Sequence, residues 1–151
     1  MLKHRQAIAG VTLLEIMLVL AIASMVIIMS VRYYQSASLN QKINAAVDGV
    51  TGIVAAAESY LASTGSNGAL SGISSGQLIA YLPNGVMPSS PWGGALTIGS
   101  GSTNGYIITI PNVPGTGCTA LSSLLQQNSK LTASGCVAEG SAGALTVTVT
   151  E

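Results

Sequence analysis

Few side chains in this sequence can do chemistry, and their spacing narrows what that chemistry is. The acids are Glu15, Asp48, Glu58, Glu139 and Glu151, the only histidine is His4, and the cysteines are Cys118 and Cys136. Past Glu15 the carboxylates are scattered, with neither the paired spacing of acid/base catalysis nor a neighbouring set of metal ligands. His4 lies in the basic start of the chain, so imidazole catalysis is lost if that start is removed. The glycines at Gly93-Gly94 and around Gly99-Ser100-Gly101 are followed by no Lys-Ser or Lys-Thr and open no plausible helix, which argues against a phosphate cradle. The expectation is a non-enzyme without catalytic residues, cofactor or metal.

Two features remain, an acid in an apolar run and a pair of cysteines. Cys118 and Cys136 enclose a stretch that includes the short helical pattern TALSSLLQQ. If the chain is exported, a disulfide is the natural reading and closes a loop worth about 3 kcal/mol in the chain-entropy model. Two unpaired buried thiols are the alternative. Glu15 stands inside GVTLLEIMLVLAIASMVIIMSV, residues 10–31, where no other residue is charged.

Composition limits the partners. The 151 residues suffice for one domain with a modest core. Net charge is zero and only 7% of residues are charged, so there is no basic field to hold a nucleic-acid backbone. Direct nucleic-acid binding by an isolated subunit is not expected. Phe is absent and aromatics are scarce at 4%, so the core must be packed mainly with Ala, Val, Leu and Ile.

The amino end allows three readings. Lys3, His4 and Arg5 precede the apolar run, the charge bias that keeps an N-terminus cytoplasmic. An ordinary secretory signal would be cut after Ala21-Ile22-Ala23, releasing a soluble binding domain. Against it, Glu15 interrupts the apolar centre and the run continues through Met25, Ile28 and Val31. A plain anchor fits the length: residues 13–31 as a helix span about 28 Å, near the thickness of the hydrocarbon core. Yet a carboxylate in such a helix costs about 2.5 to 3.5 kcal/mol near the membrane centre, less near the end, and a plain anchor gives Glu15 no partner. The third reading supplies one. A cut between Gly10 and Val11 creates a cationic amino terminus that a neighbouring copy's Glu15 can pair with, and a charge left alone in low dielectric is strongly penalised.

Other elements follow from periodicity. Leu39, Ile43, Val47, Val50, Val54, Ala57 and Leu61 recur at alternating four- and three-residue steps, one apolar helical stripe. No proline occurs before Pro83. A continuous helix over about 12–62 is predicted, its first half bare and its second packed on a globular domain. Gly49 and Gly52 cost helix propensity and mark a bend or a close contact. SerThrGlySerAsnGly from Ser63 marks the exit. A short helix is expected over 75–82, ended by Pro83, then a turn at SerProTrpGlyGly in which Trp92 acts as a packing anchor. Strands are predicted over 95–99, 106–110 and 144–150, the first two as a hairpin, with Pro111 and Pro114 ending the second. The last alternates Leu145, Val147 and Val149 against Thr146, Thr148 and Thr150. The fold class is α+β, a long N-terminal helix on an antiparallel sheet.

With its short basic leader, Gly10, the stretch Val11-Thr12-Leu13-Leu14-Glu15 and the uncharged run that follows, the sequence resembles the type IV pilins. Pro91-Trp92-Gly93-Gly94 is similar to an element of type IVb members, and Tyr33-Tyr34-Gln35-Ser36-Ala37-Ser38 resembles the corresponding stretch of bundle-forming ones. The resemblance implies cleavage between Gly10 and Val11 by a prepilin peptidase, methylation of the Val11 amino group and an assembly salt bridge from Glu15. Val11 departs from the Phe or Met often found there. It also implies a disulfide closing a variable C-terminal region, here Cys118 to Cys136. The segments would be a cleaved leader at 1–10, a transmembrane and filament-core half-helix at 11–31, and a periplasmic or extracellular head at 32–151. Implied partners are further copies in a homopolymer, the inner membrane before assembly, an assembly platform with its ATPase, and an outer-membrane secretin. The expected product is a major subunit of a surface filament serving adhesion, aggregation, motility or DNA transfer. A pseudopilin of type II secretion shares the amino end and is the nearest alternative.

Overall fold

The computed structural model describes residues 12–64, 73–100, 105–138 and 140–150. Its contacts divide the chain into two units, one ending at Ser38 and the other beginning at Leu39. Helix α1, Leu13–Thr64, is 52 residues long and runs through both. With no proline and few β-branched clusters beyond the apolar run, nothing in this stretch stops a helix once it is nucleated.

From Leu39 onward α1 is amphipathic, and it supplies one wall of the core. Ile43, Ala46, Val50, Ile53, Ala56 and Ala57 are buried. Leu39, Val47, Val54 and Leu61 pack at the edges of that face. The stripe predicted from sequence is therefore off-centre: it included those four flanking residues and omitted Ala46, Ile53 and Ala56. Small alanines on the central line let the helix axis approach its neighbours closely, and side-chain size alone does not flag them. Gly49 serves the same end, because a Cβ there would sit 3.5 Å from Pro88 Cβ and 3.7 Å from Leu96 Cδ2.

The sheet has four antiparallel strands in the order β1-β2-β4-β3. These are β1, Thr97–Ser100; β2, Gly105–Pro114; β3, Leu131–Ser134; and β4, Ala142–Thr150. Strand β4 keeps the predicted alternation, with Leu145, Val147 and Val149 buried. Opposite them Ile108, Ile110 and Val113 of β2 fill the same core. The outward face is a row of hydroxyls, Thr97 beside Thr109, Thr146 and Ser134 in register. It carries no charge.

Of the two prolines predicted to end β2, Pro114 does and Pro111 does not. The register shifts between Ile110 and Val113, so the strand passes Pro111 and Asn112 as a bulge and pairs again up to Pro114. A bulge is where a strand tolerates proline, since the missing N–H leaves no ladder bond unmade. Asn112 adopts φ 59° there, a left-handed conformation that Asn accepts more readily than most residues. Helix α2, Ser75–Leu78, and a following 3₁₀ turn, Ile79–Tyr81, occupy the predicted short helix. Ser74 caps it in a capping box with Gln77.

Helix α3, Gly115–Leu125, starts four residues before the predicted TALSSLLQQ. Its first turn holds Gly115 and Gly117, poor helix formers that hide the start in sequence. Packing explains Gly117: a Cβ there would lie 3.2 Å from Leu39 Cδ1 and 3.8 Å from Trp92 Cζ2. Strand β3 was not anticipated. Only Leu131 of its four residues is fully buried, too short a pattern for period-two alternation to register.

Candidate functional site

Among the described residues of the head, chemistry-bearing side chains do not gather into a cluster: no group of three His, Cys, Asp or Glu side chains comes together. A recess of about 380 Å³ lies beside α1, lined by Gly52, Leu82, Pro83, Val86, Met87 and Pro88 together with Asn84 and Ser89. None of these is an acid, a base or a thiol, so the recess offers shape and apolar surface alone. Lys130 Nζ stands 3.9 Å from Glu58 Oε1 with both side chains about half exposed, an arrangement worth little.

The cysteines are joined. Cys118 on α3 and Cys136, just past β3, form a disulfide across a sequence separation of 18 residues. It ties α3 to the edge of the sheet. The Cys118 end is buried under α3 while the Cys136 end is exposed.

Trp92 is half-buried against the core, and the turn that carries it is clipped to the β2 bulge. Ser90 N–H donates to the Gly94 carbonyl at 2.8 Å, and Gly93 N–H to the Ser90 carbonyl at 2.9 Å. Ser90 Oγ donates to the Pro111 carbonyl at 3.0 Å and Asn112 Nδ2 to the Gly93 carbonyl at 3.0 Å. Ser90 is buried, and this bond satisfies a hydroxyl that would otherwise be costly.

The remaining feature is the amino-terminal part of α1. Every large apolar side chain over 13–31 is at least half exposed, from Leu14 at 75% to Val31 at 50%. The exposed residues lie on all sides of the helix, since they are nearly consecutive. Its two serines add no unmet polar group, because Ser24 Oγ donates to the Ala21 carbonyl and Ser30 Oγ to the Val26 carbonyl, each at 2.8 Å. This helix is long and apolar enough to serve as a membrane anchor.

Glu15 occupies the first turn of α1. Thr12 precedes the helix, and its Oγ1 accepts the Glu15 N–H at 3.3 Å while its carbonyl accepts the same N–H at 3.0 Å. Thr12 is thus the N-cap and Glu15 the third helical residue, where a carboxylate faces the positive end of the helix dipole. The stretch Thr-Leu-Leu-Glu carries the sequence signature of a capping box, a signal the sequence reading passed over. Gly10 and Val11 lie outside the described residues.

No protein-family model, curated protein or solved structure matches the chain.

Proposed function

We propose that this chain is a type IV prepilin whose mature form, beginning at Val11, polymerises into a surface filament as its major subunit. The observation that carries the reading is α1: one helix with a completely bare apolar half, a single carboxylate in its first turn, and an amphipathic half packed on an antiparallel sheet. Such a helix needs two different surroundings in sequence. Its bare half is held by the inner membrane first and by copies of itself later.

In this reading a prepilin peptidase cuts after Gly10 and the Val11 amino group is methylated. Glu15 of one subunit then pairs with the amino terminus of the next, which fixes axial register as each subunit enters from the assembly platform. The Thr12 cap supports that role by fixing the backbone of the first turn, from which the Glu15 side chain extends. The head, closed by its disulfide, forms the filament exterior, where its uncharged Thr-rich sheet face and loops meet other cells or surfaces.

The test is the amino-terminal residue and mass of the mature protein from membranes and from sheared surface filaments, together with the Glu15→Ala variant as sole subunit. A start at methylated Val11 in filaments, with the variant inserted in membranes but poorly assembled, is expected. Normal filament yield from Glu15→Ala would contradict the pairing, and a start at Ser24 in a soluble fraction would overturn the whole proposal. The same Val11 start confined to the cell envelope would point to a pseudopilin.

A further inference from the structure

The bare helix ends in three consecutive residues unlike anything before them. Arg32, Tyr33 and Tyr34 follow Val31 directly, and the tyrosines are 80% and 74% exposed. The chain has only five tyrosines and one tryptophan. Tyr60 and Tyr81 are accounted for by an edge-to-face contact at 5.6 Å, Tyr106 by burial, and Trp92 by the core. Among the described residues, Tyr33 and Tyr34 are largely exposed and make no aromatic ring contact.

Their arrangement discriminates between partners. Consecutive helical residues point about 100° apart, so Arg32, Tyr33 and Tyr34 fan around the axis instead of sharing a face. A groove on another protein is one-sided and would be met by residues three or four apart. A collar suits a surroundings change that is the same in every direction, as at the plane of a bilayer. We infer that Arg32, Tyr33 and Tyr34 form a collar that seats in the phospholipid headgroup layer and sets the depth of the helix in the membrane before assembly, a proposal that rests on the membrane step of the function above.

The dimensions agree. The apolar stretch 13–31 spans about 28 Å, close to one hydrocarbon thickness. The two exposed phenol rings follow the last apolar residue, Val31, directly. Amphipathic rings of this kind concentrate at the headgroup level of membranes. Arg32 borders a groove on the helix surface with Met25, Ile28 and Met29. Its stem can cover apolar surface while the guanidinium reaches lipid phosphate, a charge complement that a second copy of this nearly uncharged segment does not offer.

The experiment uses the full chain carrying 3-fluorotyrosine in bicelles of phosphatidylcholine and phosphatidylglycerol, with resonances assigned through Tyr33→Phe and Tyr34→Phe. Fluorine line widths are compared with a nitroxide on the lipid headgroup, a nitroxide at the acyl-chain end, and a soluble gadolinium chelate. Tyr33 and Tyr34 should broaden severalfold more with the headgroup label than with either other probe, while Tyr60, Tyr81 and Tyr106 report the head as internal controls. Strongest broadening by the acyl-end label, or by the soluble chelate to the extent seen for Tyr81, overturns the collar. Protection from all three probes would mean burial against a second copy and overturns it too. A chain that fails to enter bicelles at all would instead sink the membrane step of the proposed function, an outcome visible before any line width is read.

Discussion

Reducing the Cys118–Cys136 bridge should weaken the head by an amount the structure lets one calculate. With 18 residues of sequence separation, the chain-entropy model assigns the cross-link about 3 kcal/mol at 25 °C. The head, residues 39–151, should unfold with an entropy of about 0.24 kcal/mol per kelvin. The melting temperature should therefore fall by about 13 °C on reduction. Because Cys136 is exposed, a small reductant can reach the bridge in the folded protein. Trp92 fluorescence is the natural probe, since its indole lies beside Gly117 on α3, the helix the bridge tethers. Melts of the detergent-solubilised full chain, oxidised and reduced, isolate the cross-link from any change of side chain. A Cys118→Ala, Cys136→Ser variant should fall at least as far, because it also leaves a small void where Cys118 is buried. Oxidised and reduced chains that melt within about 2 °C of one another would refute the reasoning, placing the stability of α3 in its packing and not in the constraint on the unfolded chain.

Other substitutions separate glycines that are needed from those that are not. At Gly52 a Cβ meets nothing within 4 Å in mid-helix, so Gly52→Ala should raise stability by up to about 1 kcal/mol, read as a higher urea midpoint. At Gly94 φ is +88° and a Cβ would come 2.9 Å from Pro111 Cγ, so Gly94→Ala should lower stability by about 1–3 kcal/mol in the same assay. Thr12→Ala removes the cap on α1, worth about 1 kcal/mol locally. It should speed amide exchange at Glu15 without moving the melting temperature of the head, and unchanged exchange would show the cap to be idle.

Much of the fold was legible because its signals are periodic and local. The long helix could be read from the absence of proline and the spacing of Ile43, Val50 and Ala57, and β4 from its strict alternation of aliphatic and threonine residues. The disulfide depended on an assumption of export, and the structure forms it. What escaped reading depends on contacts between distant residues. Pro111 signals a strand end in sequence, yet Ser90 and Asn112 hold a bulge there that lets β2 continue. The start of α3 is hidden by Gly115 and Gly117, the second of which lets Leu39 and Trp92 come close. Ala46 and Ala56 look neutral until the approach of α1 to the sheet makes small size the requirement. For the candidate site, Glu15 stands out as the lone acid in an apolar run, and Thr-Leu-Leu-Glu carries the local signal for the Thr12 cap that bonds the Glu15 N–H.

That cap bears on how a helix could move from lipid into a filament. The apolar side chains over 13–31 retain half or more of their surface. At about 1.5–3 kcal/mol for each fully buried aliphatic side chain, covering them is worth on the order of 15–20 kcal/mol, more than the stability of a typical domain. The uncovered helix is therefore no resting state in water. Between a bilayer and a sheath of identical helices, however, this large term nearly cancels, since lipid tails are as apolar as leucine. Direction must come from the few polar groups, and over 13–31 all but Glu15 are hidden: Ser24 and Ser30 are satisfied by their own backbone. Over 13–31, Glu15 is the one group whose free energy would change between the two proposed surroundings. In a membrane it would have the helix dipole and the cap beside it; in the proposed filament it would gain a cation from the next copy. In the pathway proposed above, a modest polar difference at one residue would thus steer a far larger apolar surface, because that surface is nearly indifferent to whether lipid or identical helices cover it.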